Sequence, residues 1–296
     1  MLWGTTGLTS KVLYRLSAVD AVSVGFLRLL IASPAMLVVG HLLAPGSLRP
    51  VLRSNWLAVL IMGLGQAGYN FSFFAAIART SVTAATLLAL CTAPLFVALL
   101  ARLFLAEPLT RPVLLALAAG LSGTVLLIGS EGGRDLLRPD YALGNALALG
   151  AGLSYATFAL AGRAGSQRAA PGTLVALSFT AGMLMLAPLA FGHGLRLPTN
   201  LPAWLVVLVL GIVPTALAYQ FYIFGLRAVP ATIASIGTLV EPLTAAFLAA
   251  LFLRERLTAS GLAGAGLLLS SLAILTLGAA ASRPQATPDK ATPPTI

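Results

Sequence analysis

The chain has 296 residues, of which 58% are hydrophobic and only 9% are charged, and its mean hydropathy is +0.96. A soluble domain carries about 25% charged residues and has too little interior for so much apolar sequence, so we predict a membrane protein. The net charge of +10 does not indicate a nucleic-acid partner, because the 18 Lys and Arg residues are spread singly over loops and helix ends. The single cysteine, Cys91, excludes a disulfide framework and a cysteine-based metal site.

A transmembrane helix needs about 20 mostly apolar residues, and the sequence contains ten candidate segments. They cover residues 1–16, 20–42, 56–78, 81–105, 112–130, 141–163, 172–192, 202–226, 230–253 and 258–280. The connections between them are short, such as residues 44–55, and leave no room for a soluble domain. The tail, residues 281–296, is rich in Pro and Thr and is predicted to be disordered.

The first segment has too few apolar residues ahead of Lys11 for a full crossing. We interpret it either as a helix whose true start lies upstream of Met1 or as a short helix that is only partly inserted. A signal peptide is not indicated, because a basic n-region and a small-residue cleavage site are both absent. With the N-terminus inside, inner loops and tail hold nine Lys and Arg residues and outer loops hold seven, which favours both termini inside.

An internal repeat divides the sequence into two similar halves. The sequence LFLAEPLT at 103–110 returns as LFLRERLT at 251–258, an offset of 148 residues, and the same offset places Pro94 on Pro242. We therefore predict two five-helix units, residues 1–130 and 141–280. Because each unit has an odd number of helices, the second must enter the membrane from the opposite side, as in the inverted repeats of secondary transporters that bind substrate near the midplane.

Four stretches of the sequence resemble the EamA family of the drug/metabolite transporter superfamily. They are WG at Trp3 and Gly4 ahead of Lys11, FLRLLIASPAM around Arg28, LFLAEPLT, and EPLTAAFLAALFLRERLT. The resemblance extends from about Trp3 to Gly278. It implies an all-α fold of ten helices in two inverted repeats, a multi-pass protein of the plasma or inner membrane, and cytoplasmic termini. It also implies export of small metabolites, often amino acids, without ATP, and it does not identify the substrate.

Three charged residues, Lys11, Arg28 and Glu241, lie inside predicted spans, where a charge costs about 2.5 to 3.5 kcal/mol unless it faces protein or water. Lys11 is interpreted either as a cation at the substrate cavity or as a side chain that extends to the lipid headgroups. Arg28 is interpreted as a structural clamp between helices, with substrate contact as the alternative.

Glu241 lies at the centre of the ninth predicted span, on the same helical face as Thr238. One hypothesis makes it a proton site that couples H⁺ flow to substrate; the other makes it a structural group that bonds backbone carbonyls freed by Pro242. The first half has Ala93 and Pro94 at the matching positions. The prolines are therefore predicted to kink both halves, whereas the carboxylate belongs to one half alone.

Polar and aromatic residues of matching helices predict a central cavity between the first, third, fourth, sixth, eighth and ninth spans. Packing against lipid is the alternative for each aromatic residue. The candidate substrate-binding residues are Trp3, Gln66, Tyr69, Asn70, Tyr155, Tyr219, Gln220, Tyr222 and Thr238, with Phe73 on the same face as Gln66 and Asn70.

The predicted function is secondary transport, most simply export, of amino acids or related metabolites, with no cofactor and no metal. A facilitative exchanger or uniporter with a purely structural Glu241 is the alternative. An intramembrane enzyme is a more remote one, because His41 and His193 lie at helix ends and no catalytic constellation is visible. The expected partners are a small-molecule substrate and the lipid bilayer, and the protein is expected to be a monomer or a homodimer.

Overall fold

The computed structural model describes residues 2–132, 138–253 and 258–281, and these residues form helices joined by short connections. The helices are α1 (Thr5–Leu16), α2 (Ala21–Leu43), α3 (Leu48–Ser54), α4 (Trp56–Ile77), α5 (Val82–Phe104), α6 (Arg111–Gly132), α7 (Ala142–Ser166), α8 (Pro171–Gly192), α9 (Leu201–Gly211), α10 (Ala218–Ala228), α11 (Ala231–Thr238), α12 (Val240–Leu253) and α13 (Ala259–Ala281). An all-helical fold is thus confirmed for this part of the chain. The predicted tail lies, apart from Ala281, outside the described residues.

Within those ranges, nine helical segments are long and apolar enough to cross a membrane. The first predicted span is not among them, because α1 has only 12 residues. It follows a short 3-10 turn at Leu2–Gly4. Large apolar side chains such as Phe104, Phe252 and Leu103 are more than half exposed on the outside of the bundle, as expected for surfaces that face lipid rather than water.

Three segments differ from the sequence-based prediction. Residues 44–55, expected to be a linker, contain the short helix α3, which tolerates Pro50 because an amide in the first helical turn has no intrahelical partner. The eighth and ninth predicted spans are not continuous α-helices. The eighth contains a π-helical segment at Ile212–Leu217, and the ninth is interrupted at Leu239.

Prolines account for both interruptions. Pro214 cannot supply the amide that would bond the carbonyl of Leu210, and the Thr215 hydroxyl donates to that carbonyl instead, at 2.7 Å. Pro242 likewise lacks the amide that would bond the carbonyl of Thr238, the last residue of α11. Pro94, predicted to act as the twin of Pro242, lies within α5 without an interruption.

Helices far apart in the chain pack most extensively in the pairs α4 with α7, α5 with α7, α2 with α8, α4 with α8, and α6 with α13. Helices α6 and α13 meet closely because Gly123 and Gly264 leave their backbones uncovered. A Cβ added to Gly264 would lie only 2.6 Å from the Gly123 carbonyl oxygen, whereas a Cβ added to Gly266 would meet nothing within 4 Å.

Replacing Gly264 with leucine is therefore expected to separate α6 from α13 and to destabilise the protein, by about 1 to 3 kcal/mol or more. The matched control is Gly266→Leu, two residues along the same helix, which adds the same side chain in open space. The measurement is thermal unfolding of both variants in detergent. Equal melting temperatures for the two variants would show that the contact between the glycines does not limit stability.

Glu107, in the connection between α5 and α6, is buried and anchors the start of α11. Its carboxylate accepts hydrogen bonds from the Ala231 amide at 2.7 Å, the Thr232 amide at 3.1 Å and the Thr232 hydroxyl at 2.9 Å. The Arg163 Nε lies 4.0 Å from Glu107 Oε1, and Arg163 Nη1 donates to the carbonyls of Leu226 and Arg227. Glu107 therefore connects the end of α5 to the start of α11 and to Arg163 of α7, and Arg163 in turn bonds the end of α10. We call Glu107, Arg163, Ala231 and Thr232 the Glu107 cluster.

Candidate functional site

A cavity of about 720 Å³ lies inside the helix bundle. Its walls come from α1, α2, α4, α5, α7, α10, α11 and α12, which includes the six spans predicted from the sequence and adds α2. Of the residues predicted from the sequence, those that line it are Trp3, Lys11, Arg28, Tyr69, Asn70, Phe73, Tyr155, Tyr219, Thr238 and Glu241. These side chains are thereby brought together; their contact with a substrate stays a prediction.

Three further predicted residues, Gln66, Gln220 and Tyr222, lie outside this lining, and their contact with a substrate also stays a prediction. Gln66 is buried behind the wall and meets the side chain of Tyr219. Gln220 follows Tyr219 by one position and so points about 100° away, where its Nε2 donates to the Gly172 carbonyl at 3.3 Å. Tyr222 lines a separate pocket of about 330 Å³ behind Trp3.

Aromatic rings cover much of the cavity wall and contact one another. Trp3 meets the rings of Tyr219 and Tyr222, with centroids 4.9 and 5.3 Å apart, and Tyr155 lies 6.1 Å from Tyr222. Tyr69 stacks on Phe73 at 5.6 Å. Among the described residues, the indole N–H of Trp3 is buried without a hydrogen-bond partner. The wall therefore combines apolar rings with polar groups, such as the Trp3 indole N–H, that remain to be satisfied.

Glu241 lies in the first turn of α12, directly after the interruption at Leu239, and is partly exposed to the cavity. The start of the chain packs closely against it, because a Cβ on Gly4 would lie 2.9 Å from the Glu241 carbonyl oxygen. This close approach explains the glycine in the WG sequence. It also places Trp3 of the same dipeptide beside the carboxylate-bearing helix.

The two cations of the cavity, Lys11 and Arg28, are held differently. The Lys11 side chain is exposed and lines the cavity. Arg28 is partly buried, and its Nε donates to the Thr215 hydroxyl at 3.0 Å. The predicted clamp between helices is thus present for Arg28, but its partner is a threonine of the π-helical segment.

The outermost wall residues of the cavity lie toward one end of the bundle. Successive helices run in opposite directions, so the C-terminal parts of α1 and α4 and the N-terminal parts of α2 and α5 share that end. Each of these four helices contributes a residue to the lining there: Tyr14, Ala21, Ile77 and Thr86. The Glu107 cluster lies at the opposite end, where α5 stops and α11 begins.

The sequence analysis missed Thr215 and Glu107. Both had a visible signal: Thr215 directly follows a proline whose i−4 carbonyl needs a donor, and Glu107 belongs to the repeated sequence LFLAEPLT. Within the described ranges, no three His, Cys, Asp or Glu residues are placed to hold a metal ion. The cavity therefore offers aromatic surface and charges of both signs rather than a metal centre.

The model of the EamA-like transporter family matches the chain twice, at residues 1–129 and 142–277. This chain belongs to that family. The resemblance to the EamA family noted in the sequence is thereby confirmed, and the family is one of membrane transporters rather than enzymes.

The chain is also similar to three curated proteins and to one solved structure. The uncharacterized transporter YwfM of Bacillus subtilis is 31% identical over 98% of this chain and 94% of that protein. The uncharacterized inner membrane transporter YicL of Salmonella typhimurium is 28% identical over 94% and 92%. The aromatic amino acid exporter YddG of Ancylobacter novellus is 30% identical over 62% and 63%. A crystal structure with 24% identity superposes with a TM-score of 0.81 over 95% of this chain and 94% of its own, which shows the shared fold.

Proposed function

We propose that this EamA-family protein is a secondary transporter that exports amino acids, those with large or aromatic side chains first among them. The observation that carries the proposal is the cavity of about 720 Å³ with charges of both signs and an aromatic wall. A zwitterion needs one cation and one carboxylate as partners, and Arg28 or Lys11 and Glu241 provide both. The name of the YddG relative, an aromatic amino acid exporter, agrees with this choice.

The proposal includes ten membrane spans in two inverted units, residues 1–130 and 141–280. The family model supports it, because it matches once in each half. The packing supports it as well. Shifting each helix by 148 positions turns the pair α4 with α7 into α9 with α1, and the pair α5 with α7 into α12 with α1. Both of the resulting pairs are in contact. The pairs α2 with α8 and α6 with α13 map onto themselves.

The protein is further proposed to reside in the cytoplasmic membrane with both termini inside. In that orientation the end of the bundle reached by the cavity faces outward, and the end closed by Glu107 faces the cytoplasm. The transport cycle would alternate between this state and one in which the halves have rocked to open the cytoplasmic end. One copy of the chain contains the whole cavity, so a monomer suffices for this cycle and a homodimer is compatible with it.

A facilitative exchanger or uniporter is the second candidate. One observation favours it: Glu241 follows the interruption between α11 and α12, where a carboxyl group suits a structural role. In that case the cavity would bind the same solutes, but the flux would not respond to protons. The two candidates therefore differ in the driving force and agree on the substrate class.

The decisive experiment is counterflow in proteoliposomes that contain the purified full chain. Liposomes preloaded with unlabelled L-phenylalanine, L-tryptophan, L-leucine or L-lysine would receive the labelled form of the same amino acid outside. We expect rapid transient uptake for phenylalanine and tryptophan and weaker uptake for leucine. We expect background uptake for lysine, because it carries two ammonium groups and Glu241 is the one carboxylate in the described lining of the cavity. Background uptake for all four would contradict the proposed substrate class.

A further inference from the structure

The Thr215 hydroxyl has two partners, and they determine how it is oriented. A hydroxyl group has one proton to donate and two lone pairs to accept with. The Thr215 hydroxyl donates its proton to the Leu210 carbonyl, at 2.7 Å, because Pro214 leaves that carbonyl without its usual amide partner. The hydroxyl therefore faces Arg28 only as an acceptor, and it receives the Arg28 Nε–H at 3.0 Å.

This arrangement uses one of the five N–H groups of Arg28 and fixes the plane of its guanidinium. Arg28 makes no further hydrogen bond to the described part of the chain, and no ion pair within 4.0 Å joins it to a described carboxylate. Both terminal NH₂ groups thus remain available, and the residue lines the cavity. A fixed guanidinium fork with two available NH₂ groups matches the two oxygens of a carboxylate.

The backbone around this pair is built for close contact. A Cβ on Gly211, at the start of the π-helical segment, would lie 2.6 Å from Ile31 Cγ2 of α2. Glycine at this position lets α2 approach the π-helical segment within reach of the Arg28 side chain. Single π-helical turns inside α-helices are frequent at functional sites.

The pair occurs in only one half of the molecule. At an offset of 148 residues, Ala176 takes the place of Arg28 and Ala67 takes the place of Thr215. Contacts that the inverted fold needs for its own packing should appear in both halves. The contact of Gly123 with Gly264, for example, has a counterpart at the same offset in the contact of Ala116 with Ser271, where the Ser271 hydroxyl donates to the Ala116 carbonyl. The Arg28–Thr215 pair has no such counterpart, which separates it from the packing of the fold.

We propose that Arg28 forms a carboxylate-binding subsite of the cavity and that Thr215 is the positioning residue that aims its guanidinium. The inference deepens the proposed function, on which it rests for its place in transport, by naming the group that a solute must carry: a free carboxylate. Solutes without one, such as simple amines, bind without the contribution of Arg28. Thr215 acts through Arg28 and need not touch the solute.

The test compares two probes that share a phenyl ring and differ in charge, 3-phenylpropionate and phenethylamine. Their affinities for the purified full chain in detergent are measured by isothermal titration calorimetry. In Thr215→Val, which keeps the shape but loses both hydrogen bonds, we expect the Kd of 3-phenylpropionate to rise about tenfold, because a charge-assisted hydrogen bond loses its geometry. The Kd of phenethylamine should change less than twofold. Thr215→Ser should restore wild-type affinity, and Arg28→Gln should remove the preference for 3-phenylpropionate altogether.

Thr124→Val is the matched control, since Thr124 is also buried and bonds a carbonyl of its own helix, that of Gly120 in α6, away from the cavity. It should leave both affinities unchanged. An Arg28→Gln variant that binds 3-phenylpropionate as tightly as wild type would overturn the inference, and so would a Thr215→Val variant that weakens both probes equally. Counterflow of L-phenylalanine separates the two proposals. Carboxylate binding without any counterflow refutes the transport function alone, whereas counterflow with unchanged probe selectivity in Thr215→Val refutes the subsite alone.

Discussion

Replacing Glu241 with glutamine is expected to abolish the response of transport to a pH gradient and to weaken, but not abolish, the exchange of solute across the membrane. Glutamine has nearly the shape of a protonated glutamic acid but cannot release a proton. We suppose that the carboxyl group binds a proton on one side of the membrane and releases it on the other. The variant lacks this step but can still move solute between the two openings. It can no longer be driven by protons.

The surroundings of Glu241 make this the most informative position in the cavity. The charged and titratable groups that share the cavity with it are Lys11, Arg28, Tyr14, Tyr69, Tyr155 and Tyr219. The matching position of the other half is Ala93, which is 8% exposed, so a neutral residue is tolerated at the corresponding place in that half. A glutamine should therefore preserve folding better than most changes to a charged residue within a membrane.

The measurement is efflux of labelled L-phenylalanine from proteoliposomes with and without an imposed pH gradient, in wild type and in Glu241→Gln. We expect the gradient to accelerate efflux several-fold in wild type and to have no effect in the variant, with counterflow still measurable in the variant but at a higher KM, because an uncharged amide binds the solute's ammonium group less strongly. Asp140→Asn is the control, because this carboxylate is 77% exposed and does not line the cavity. A gradient response that survives in Glu241→Gln would assign Glu241 a structural role and favour the exchanger or uniporter.

Replacing Glu107 with alanine is expected to cause the largest loss of stability of any single change considered for this protein. The substitution removes the acceptor of three hydrogen bonds, leaves the Ala231 and Thr232 amides without partners, and removes the carboxylate near Arg163. Breaking a buried, hydrogen-bonded charge in this way costs about 3 to 5 kcal/mol. Glu107→Gln, which can still accept one or two of these bonds, should cost less.

Thermal unfolding in detergent measures this effect, and Asp20→Ala provides a graded control. Asp20 accepts hydrogen bonds from the amide and hydroxyl of Ser23 at the start of α2, but its side chain is 38% exposed. Losing such a cap costs about 0.5 to 2 kcal/mol. If Glu107→Ala were no less stable than Asp20→Ala, the Glu107 cluster would not hold the bundle together.

The sequence predicted the helical class, most of the helix bounds and seven of the eight helices that line the cavity, because these depend on runs of apolar residues and on the faces of helices. It predicted kinks at Pro94 and Pro242, but it predicted neither the π-helical segment at Pro214 nor the uninterrupted course of α5 past Pro94. A proline identifies the carbonyl that loses its amide partner. Whether the helix then forms a π-helical segment or a break depends on which other donors lie nearby. Thr215 supplies such a donor for Leu210, and that contact is visible only in three dimensions.

The three predicted residues that lie outside the lining of the cavity show a second limit of sequence-based prediction. Gln220 and Tyr222 were grouped with Tyr219 because they are neighbours in sequence, yet one helical step of 100° separates Gln220 from the cavity. Arg28 was interpreted as a clamp because a charge inside a membrane must find a partner. The sequence could not indicate that the partner, Thr215, would occupy only one of its five donors.

The Glu107 cluster also offers a way to measure how often the protein changes conformation. If the end of the bundle that it closes must open in each cycle, the amides of Ala231 and Thr232 lose their carboxylate partner and meet water once per turnover. Their hydrogen–deuterium exchange would then record how often the opening occurs, independently of any solute. A solute that speeds transport should speed the exchange of these two amides in proportion, whereas one that binds without being carried should slow it.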